Sequence, residues 1–190
     1  ILKVANYAAD HTVFVGTWLK KLNIYYDKEE SRNSVILNGS DSLIFNRKGL
    51  QKWKKNNFPL RLVTHHWSGN NMKGFDIYSH IDTMLESRDW KNKIHFTYIG
   101  NLPRNFNFKN VRYLKPMNNA ELANEIRSHH IYITASINEP GGNHQNEGAM
   151  CGLPLLFRNS GCLPEYCNGY GVSFNDKKDF EKSLLKMIDE

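Results

Sequence analysis

The sequence predicts an α/β protein, a parallel β-sheet with helices on both faces. Short apolar runs of strand length recur along the chain, most regularly after Pro59. Between them lie segments whose apolar residues repeat at helical spacing. Strands that alternate with helices in this way build a parallel sheet with right-handed crossovers.

The elements follow in order. TVFV (12–15) reads as a strand and 17–22 as a helical turn or two. SVIL (34–37) is a strand ending at the turn signal Asn38-Gly39. The Lys/Asn-rich stretch 52–57 reads as a linker. RLVTHH (61–66) is a strand, and 75–88 is a helix with apolar residues at 77, 78, 81, 84 and 85. IHFTYIG (94–100) and VRYL (111–114) are strands. Asn118 and Glu121 form a capping box for a helix that runs to His129. IYITAS (131–136) is a strand, 147–151 a short helix stopped by Gly152-Leu153-Pro154, and PLLF (154–157) a strand. A short helix (163–167), the strand GVSF (171–174) and a helix over 176–188 complete the pattern. Ligands of such sheets bind beyond the carboxyl ends of the strands. The informative segments are therefore 65–74, 100–108, 114–118, 135–148 and 158–164.

Composition narrows the function classes. The chain has 190 residues, 40% hydrophobic and 23% charged, enough to bury a core without metal or disulfide staples. Mean hydropathy is −0.59, and no run approaches the roughly 20 apolar residues of a membrane span. The opening ILKVANYAAD shows no charged segment followed by an apolar one, so no secretory leader is expected. Cys151, Cys162 and Cys167 are sparse and form no CxxC pair, which fits plain thiols in a reducing, cytoplasmic setting. The net charge of +6 is uneven: residues 1–60 carry +5 and residues 61–190 carry +1. Arg47, Lys48, Lys52, Lys54 and Lys55 make much of the excess. They form either a solvated basic face or a patch for an anionic membrane surface or another polyanion. No nucleic-acid reader motif accompanies them, so nucleic acid is not expected as a partner.

The dinucleotide fingerprint GxGxxG is absent. Gly169 to Gly171 is G-x-G before a strand, the wrong context, and there is no Walker A sequence. A nicotinamide enzyme and a P-loop NTPase are thereby disfavoured. The richest segment is SINEPGGNHQNEGAMCGLP (136–154), a loop between a strand and a helix. Seven residues separate Glu139 from Glu147, and Gly141, Gly142, Asn143 and His144 lie between them. Glycines allow close backbone approach, and the start of a helix favours anions. A diphosphate would suit the loop, with one carboxylate for sugar hydroxyls and one for a ribose diol. The plainer alternative is a glycine-rich turn leading into a helix, with Glu147 favouring the dipole.

This segment resembles the E-x7-E signature of retaining glycosyltransferases of family 4. Four further segments resemble that family in its order: ADHTVFVGTWL (9–19), SVILNGSDSLIF (34–45), MKGFDIY (72–78) and SGCLPEYCNGYGVSF (160–174). The resemblance implies a two-domain glycosyltransferase with facing Rossmann-like domains, of which residues 57–190 would be the donor domain. Residues 1–56 would then be the tail of a missing first domain plus the interdomain linker. It implies that Lys73 contacts the donor diphosphate, Glu139 the donor sugar and Glu147 the ribose. Gly142, Asn143 and His144 would offer backbone N–H groups, and the backbone at Leu114 would read the base beside a rim shaped by Pro116. Lys73 and Glu139 would be the catalytic pair, with no metal and no cofactor beyond the nucleotide-sugar substrate. Where the family carries arginine before the lysine, this chain has His65-His66, and His66 stands for it in the donor site. The two histidines read otherwise as strand-end packing, and His129-His130 as a structural helix end with cations suiting the dipole. Trp53, Trp67 and Trp90 read as packing residues, Trp67 lying close to the site.

The partners so implied are a nucleotide sugar and a glycan or lipid-linked acceptor held by the missing first domain, with peripheral membrane contact. A strand over 12–15 deprived of its partners is expected to self-associate or to leave residues 1–30 poorly ordered. The alternatives are a non-catalytic nucleotide-sugar-binding module and a related phosphorylase or sucrose-type enzyme.

Overall fold

The computed structural model describes residues 1–22, 30–54 and 56–189. Its elements, in order, are α1 (Leu2–Ala8), β1 (Thr12–Phe14), α2 (Thr17–Lys20), β2 (Asn33–Val35) and β3 (Leu60–His66). Then come α3 (Phe75–Met84), α4 (Arg88–Lys93), β4 (Ile94–Gly100), β5 (Arg112–Leu114), α5 (Asn119–Arg127) and β6 (Ile131–Thr134). The chain continues through α6 (His144–Met150), β7 (Leu155–Arg158), α7 (Leu163–Cys167), β8 (Gly171–Phe174) and α8 (Lys177–Asp189).

Six strands form one sheet in the order β5-β4-β3-β6-β7-β8, and every pairing is parallel. The α/β expectation is met. The chain lays β4 and β5 on one side of β3, then returns to lay β6, β7 and β8 on the other. The order therefore reverses between β3 and β6, and a crevice opens there beyond the strand ends.

The inner strands β4, β3, β6 and β7 are largely buried on both faces, so alternate residues of one strand enter different cores. Leu62, Phe96, Tyr98, Ile131, Ile133 and Leu156 join α3 and α8 in one cluster with Ile77, Ile81, Phe180 and Leu184. Val63, Ile99, Tyr132, Leu155 and Phe157 join α5 and α7 in the other, with Leu122, Ile126, Leu163 and Cys167. Phe45, 3% exposed, belongs to the second cluster. Arg127 holds that stretch by donating to the carbonyls of Ile44 and Asn46, and its own carbonyl accepts from Gln51 N. All three cysteines are buried free thiols.

Several boundaries differ from expectation. The helix expected over 75–88 stops at Met84, because Ser87 turns its side chain to Asp89 N and starts α4. Strand β6 ends at Thr134 because the Ala135 amide leaves the ladder and donates to the Tyr78 hydroxyl at 3.2 Å. Helix α6 starts at His144, not Glu147, so Glu147 sits one turn inside it. The helix α1 has no counterpart in the sequence reading. The strand at 12–14 is not deprived of partners, since β1 pairs in parallel with β2 from Thr12↔Asn33 to Phe14↔Val35. The remainder of the expectation for 1–30 falls partly on residues 23–29, outside the described residues.

His129 and His130 also differ in reason. His129 bonds the Glu125 carbonyl at 2.8 Å and the Thr97 hydroxyl at 2.9 Å, and His130 Nδ1 accepts from Arg61 N at 3.0 Å. Burial pushes both imidazoles down to about 4. They are neutral near pH 7, and no helix-dipole cation is involved.

Candidate functional site

The crevice between β3 and β6 holds a pocket of about 400 Å³. The ends of β3 and β4, the loop before α3, the stretch from β5 into α5, and the loop from β6 into α6 build it. Each falls in a segment that strand ends mark out in a parallel sheet.

Lys73 reaches the site through a turn that only glycine completes. Asn70 caps a 3-10 turn over Asn71–Lys73 by accepting from Met72 N, and Gly74 then takes φ of 96°. A Cβ at position 74 would collide with Ala135, so the loop lies flat on the end of β6. Lys73 Nζ meets Glu139 Oε2 at 2.7 Å. Glu139 is 4% exposed, and its carboxylate is compensated there by this ion pair. Gly161, at φ 62°, lets the chain after β7 pass against the Glu139 backbone, whose carbonyl accepts from Cys162 N at 2.8 Å.

Glu147 lines the pocket from the first turn of α6. Its Oε2 lies 2.6 Å from His65 Nε2. His66 Nε2 bonds the Tyr78 hydroxyl at 2.7 Å, and His144 Nε2 bonds the Thr134 hydroxyl at 2.7 Å. The rings of His66 and His144 meet edge to face at 4.6 Å. Burial first, and then neighbouring positive groups, hold both imidazoles well below 6.5. Both are neutral near pH 7. Lys73 is the lysine of the pocket lining, and His66 brings no permanent charge of the kind arginine would.

The fold gathers His66, Lys73, Gly142, Asn143, His144 and Glu147 around one pocket, with Glu139 behind Lys73. Leu114 is half-buried with its side chain against the second core cluster, and Pro116 and Met117 just beyond it line the pocket. Asn143 does not cap α6 with its side chain. Trp53 and Trp90 pack on the core, but Trp67 is 79% exposed on the pocket rim and is not a packing residue. Among the described residues no group of three His, Cys, Asp or Glu is placed to hold a metal.

Sequence reasoning missed Asn38. Its side chain donates to the Gly141 carbonyl at 2.6 Å, and its own carbonyl accepts from Asn146 Nδ2 at 3.0 Å. Its backbone N–H donates to the Tyr166 hydroxyl at 2.8 Å, which donates onward to the Val15 carbonyl. One residue thus ties the glycine loop to α6, α7 and the small β1–β2 sheet. The Asn-Gly pair marked a turn but not this role.

No protein-family model and no curated sequence matches the chain. Solved structures do. A sucrose-phosphate synthase from Thermosynechococcus elongatus superposes over 99% of this chain and 51% of its own, at 15% identity and a TM-score of 0.71. HepE from Anabaena, in complex with UDP and glucose, superposes over 99% of this chain and 55% of its own, at 16% identity and 0.69. The catalytic domain of starch synthase IV from Arabidopsis thaliana, bound to ADP and acarbose, covers 98% and 50%, at 18% identity and 0.70. The fold is the Rossmann-like fold of glycosyltransferase structures. The chain spans about half the length of those it matches.

Proposed function

We propose that this chain is the donor-binding half of a retaining glycosyltransferase, and that its pocket takes a nucleotide-activated sugar. The observation that carries the reading is the meeting of Lys73, Glu139 and Glu147 at the reversal point of a parallel sheet. The Lys73 ammonium offsets the charge that grows on the departing nucleoside diphosphate. It does so without a metal or a further cofactor. Glu139 takes the sugar hydroxyls and Glu147 the ribose diol. Gly142, Asn143 and His144 line the diphosphate, and the exposed ring of Trp67 offers a face for a base or sugar. Two of the superposed structures hold UDP with glucose or ADP with acarbose, which supports the ligand class.

The acceptor, a glycan or lipid-linked saccharide, is held by a preceding domain of the whole protein. Exposed Leu2, Val4, Tyr7, Val13 and Ile36 on α1 and the β1–β2 segment offer apolar surface for that contact. Positioning two reactants contributes up to roughly 7–11 kcal/mol, so the chain alone binds donor without efficient transfer. Arg47, Lys48, Lys52 and Lys54 supply charge for a peripheral membrane contact in a cytoplasmic enzyme; Lys55 lies outside the described residues. Among the described residues no helix is long and apolar enough to cross a membrane.

The test is titration calorimetry with UDP, GDP and ADP. Glu147→Ala is expected to weaken the bound nucleotide by about 1–3 kcal/mol, the range for hydrogen bonds to a charged group. Unchanged affinity in a folded variant sinks the ribose role.

A further inference from the structure

We propose that His65 is a positioning residue: a hydrogen-bonded chain running from Tyr132 through His65 sets the Glu147 carboxylate in the orientation that meets a ribose diol. The inference rests on the reading of the pocket given above. A carboxylate only accepts, so at 2.6 Å the proton of the contact lies on His65 Nε2. With the ring proton on Nε2, Nδ1 is the acceptor. Its partner is the Tyr132 hydroxyl at 2.9 Å, which must donate. Tyr132 is suited to this, because burial pushes its phenol well above 10 and keeps its proton on. The same hydroxyl also takes the backbone N–H of His65 at 3.3 Å. Donation therefore runs one way, from β6 to β3 to α6.

The packing around this chain is specific to it. A Cβ on Gly148, the residue after Glu147, would collide with the Tyr132 ring. A tyrosine fits on β6 only because α6 carries glycine opposite. The ring of His65 stands edge-on to Tyr132 at 5.6 Å and to His144 at 6.3 Å, which limits its rotation. A glutamate side chain has three torsions to order. Fixing Oε2 on His65 orders them before ligand arrives and leaves Oε1 to meet a hydroxyl.

Calorimetry on the 190-residue chain tests this. The probe is whichever of UDP, GDP and ADP binds most tightly, with its 2′,3′-dideoxy counterpart as the ligand lacking the diol. His65→Ala is expected to weaken the ribonucleotide roughly tenfold and to leave the dideoxynucleotide unchanged. His65→Gln keeps an N–H donor in reach of Glu147 and recovers most of the loss. Tyr132→Phe keeps the ring and produces a smaller loss of the same selectivity. In a Glu147→Ala background, His65→Ala has no further effect. Nitrogen-15 NMR of the wild-type ring should show the Nε2–H form, and Tyr132→Phe should shift it towards a mixture of tautomers. That readout needs no ligand and survives if an alanine variant fails to fold. Loss with Glu147→Ala but none with His65→Ala overturns the positioning role and spares the pocket reading. Equal loss of both nucleotides with His65→Ala reduces His65 to packing. No loss with Glu147→Ala overturns the ribose role and the positioning role with it, and no binding of any of the three nucleotides overturns the pocket reading as well.

Discussion

At the carboxyl end of β3, His65 and His66 stand in the pocket; at the amino end of β6, His129 and His130 stand beneath the sheet. All four are buried. The lower pair bonds to backbone groups and a threonine hydroxyl, partners that never leave. In the upper pair, His65 meets a carboxylate from a helix that lines open space. Beside it, Lys73 and Glu139 compensate each other. The lesson is that burial alone does not separate a structural histidine from one in a site. What marks the site is ionisable side chains that partner one another at the wall of a pocket, so that a ligand can take a share of the bonding. Substitutions at the lower end should therefore cost stability alone, and those at the upper end affinity.

The sharpest attempt to break this contrast is Lys73→Met. It strands Glu139, so it is expected to cost about 3–5 kcal/mol of stability as well as nucleotide affinity. Adding Glu139→Gln should restore most of the stability in urea unfolding and none of the diphosphate affinity. Recovery of both would show that Lys73 is structural only.

Next in size is His129→Ala, which strips the buried Thr97 hydroxyl of its imidazole partner, while the Glu125 carbonyl keeps Ser128. A loss of about 2–3 kcal/mol is expected, with nucleotide affinity unchanged by calorimetry. The same histidine carries a pH signature. Its native value is about 4 against an ordinary 6.5, so between these limits the unfolded chain takes up a proton that the native chain refuses. Stability is full above pH 6.5 and falls as pH drops towards 4, by up to about 1.4 kcal/mol per pH unit for each such group. His129→Gln should flatten that acid slope in urea melts at pH 7 and pH 5. An unchanged slope would place the acid sensitivity elsewhere.

The smallest effect should come from Asn38→Ala. It removes one hydrogen bond to the Gly141 carbonyl, worth about 1 kcal/mol, and loosens the glycine loop. Nucleotide affinity should fall a few fold with little change in melting temperature. A large drop in melting temperature with intact affinity would move Asn38 from the upper class to the lower.

Local pattern alone settled much of this protein. Apolar runs bounded by turn residues define β3, β4 and β7, whose residues are largely buried on both faces, and Val172 and Phe174 mark the edge strand β8. Asn118 caps α5 as its spacing to Glu121 implied, accepting from Glu121 N at 2.9 Å, because a cap is made within one turn. The seven-residue gap between Glu139 and Glu147 placed two carboxylates on either side of one loop. What lies beyond local reach was decided in three dimensions. His65 and Glu147 are 82 positions apart, and nothing in either neighbourhood announces the other. Helix α3 stops early because Ser87 has a better use for its hydroxyl, and β6 stops early because the Tyr78 hydroxyl claims the Ala135 amide. The half-buried side chain of Leu114 packs against the core because strand pleat, not its chemistry, chose its face. The neutral state of His66, His129 and His130 also belongs to the fold. An imidazole's charge is set by what surrounds it once water has gone, and the chain acquires those surroundings only on packing.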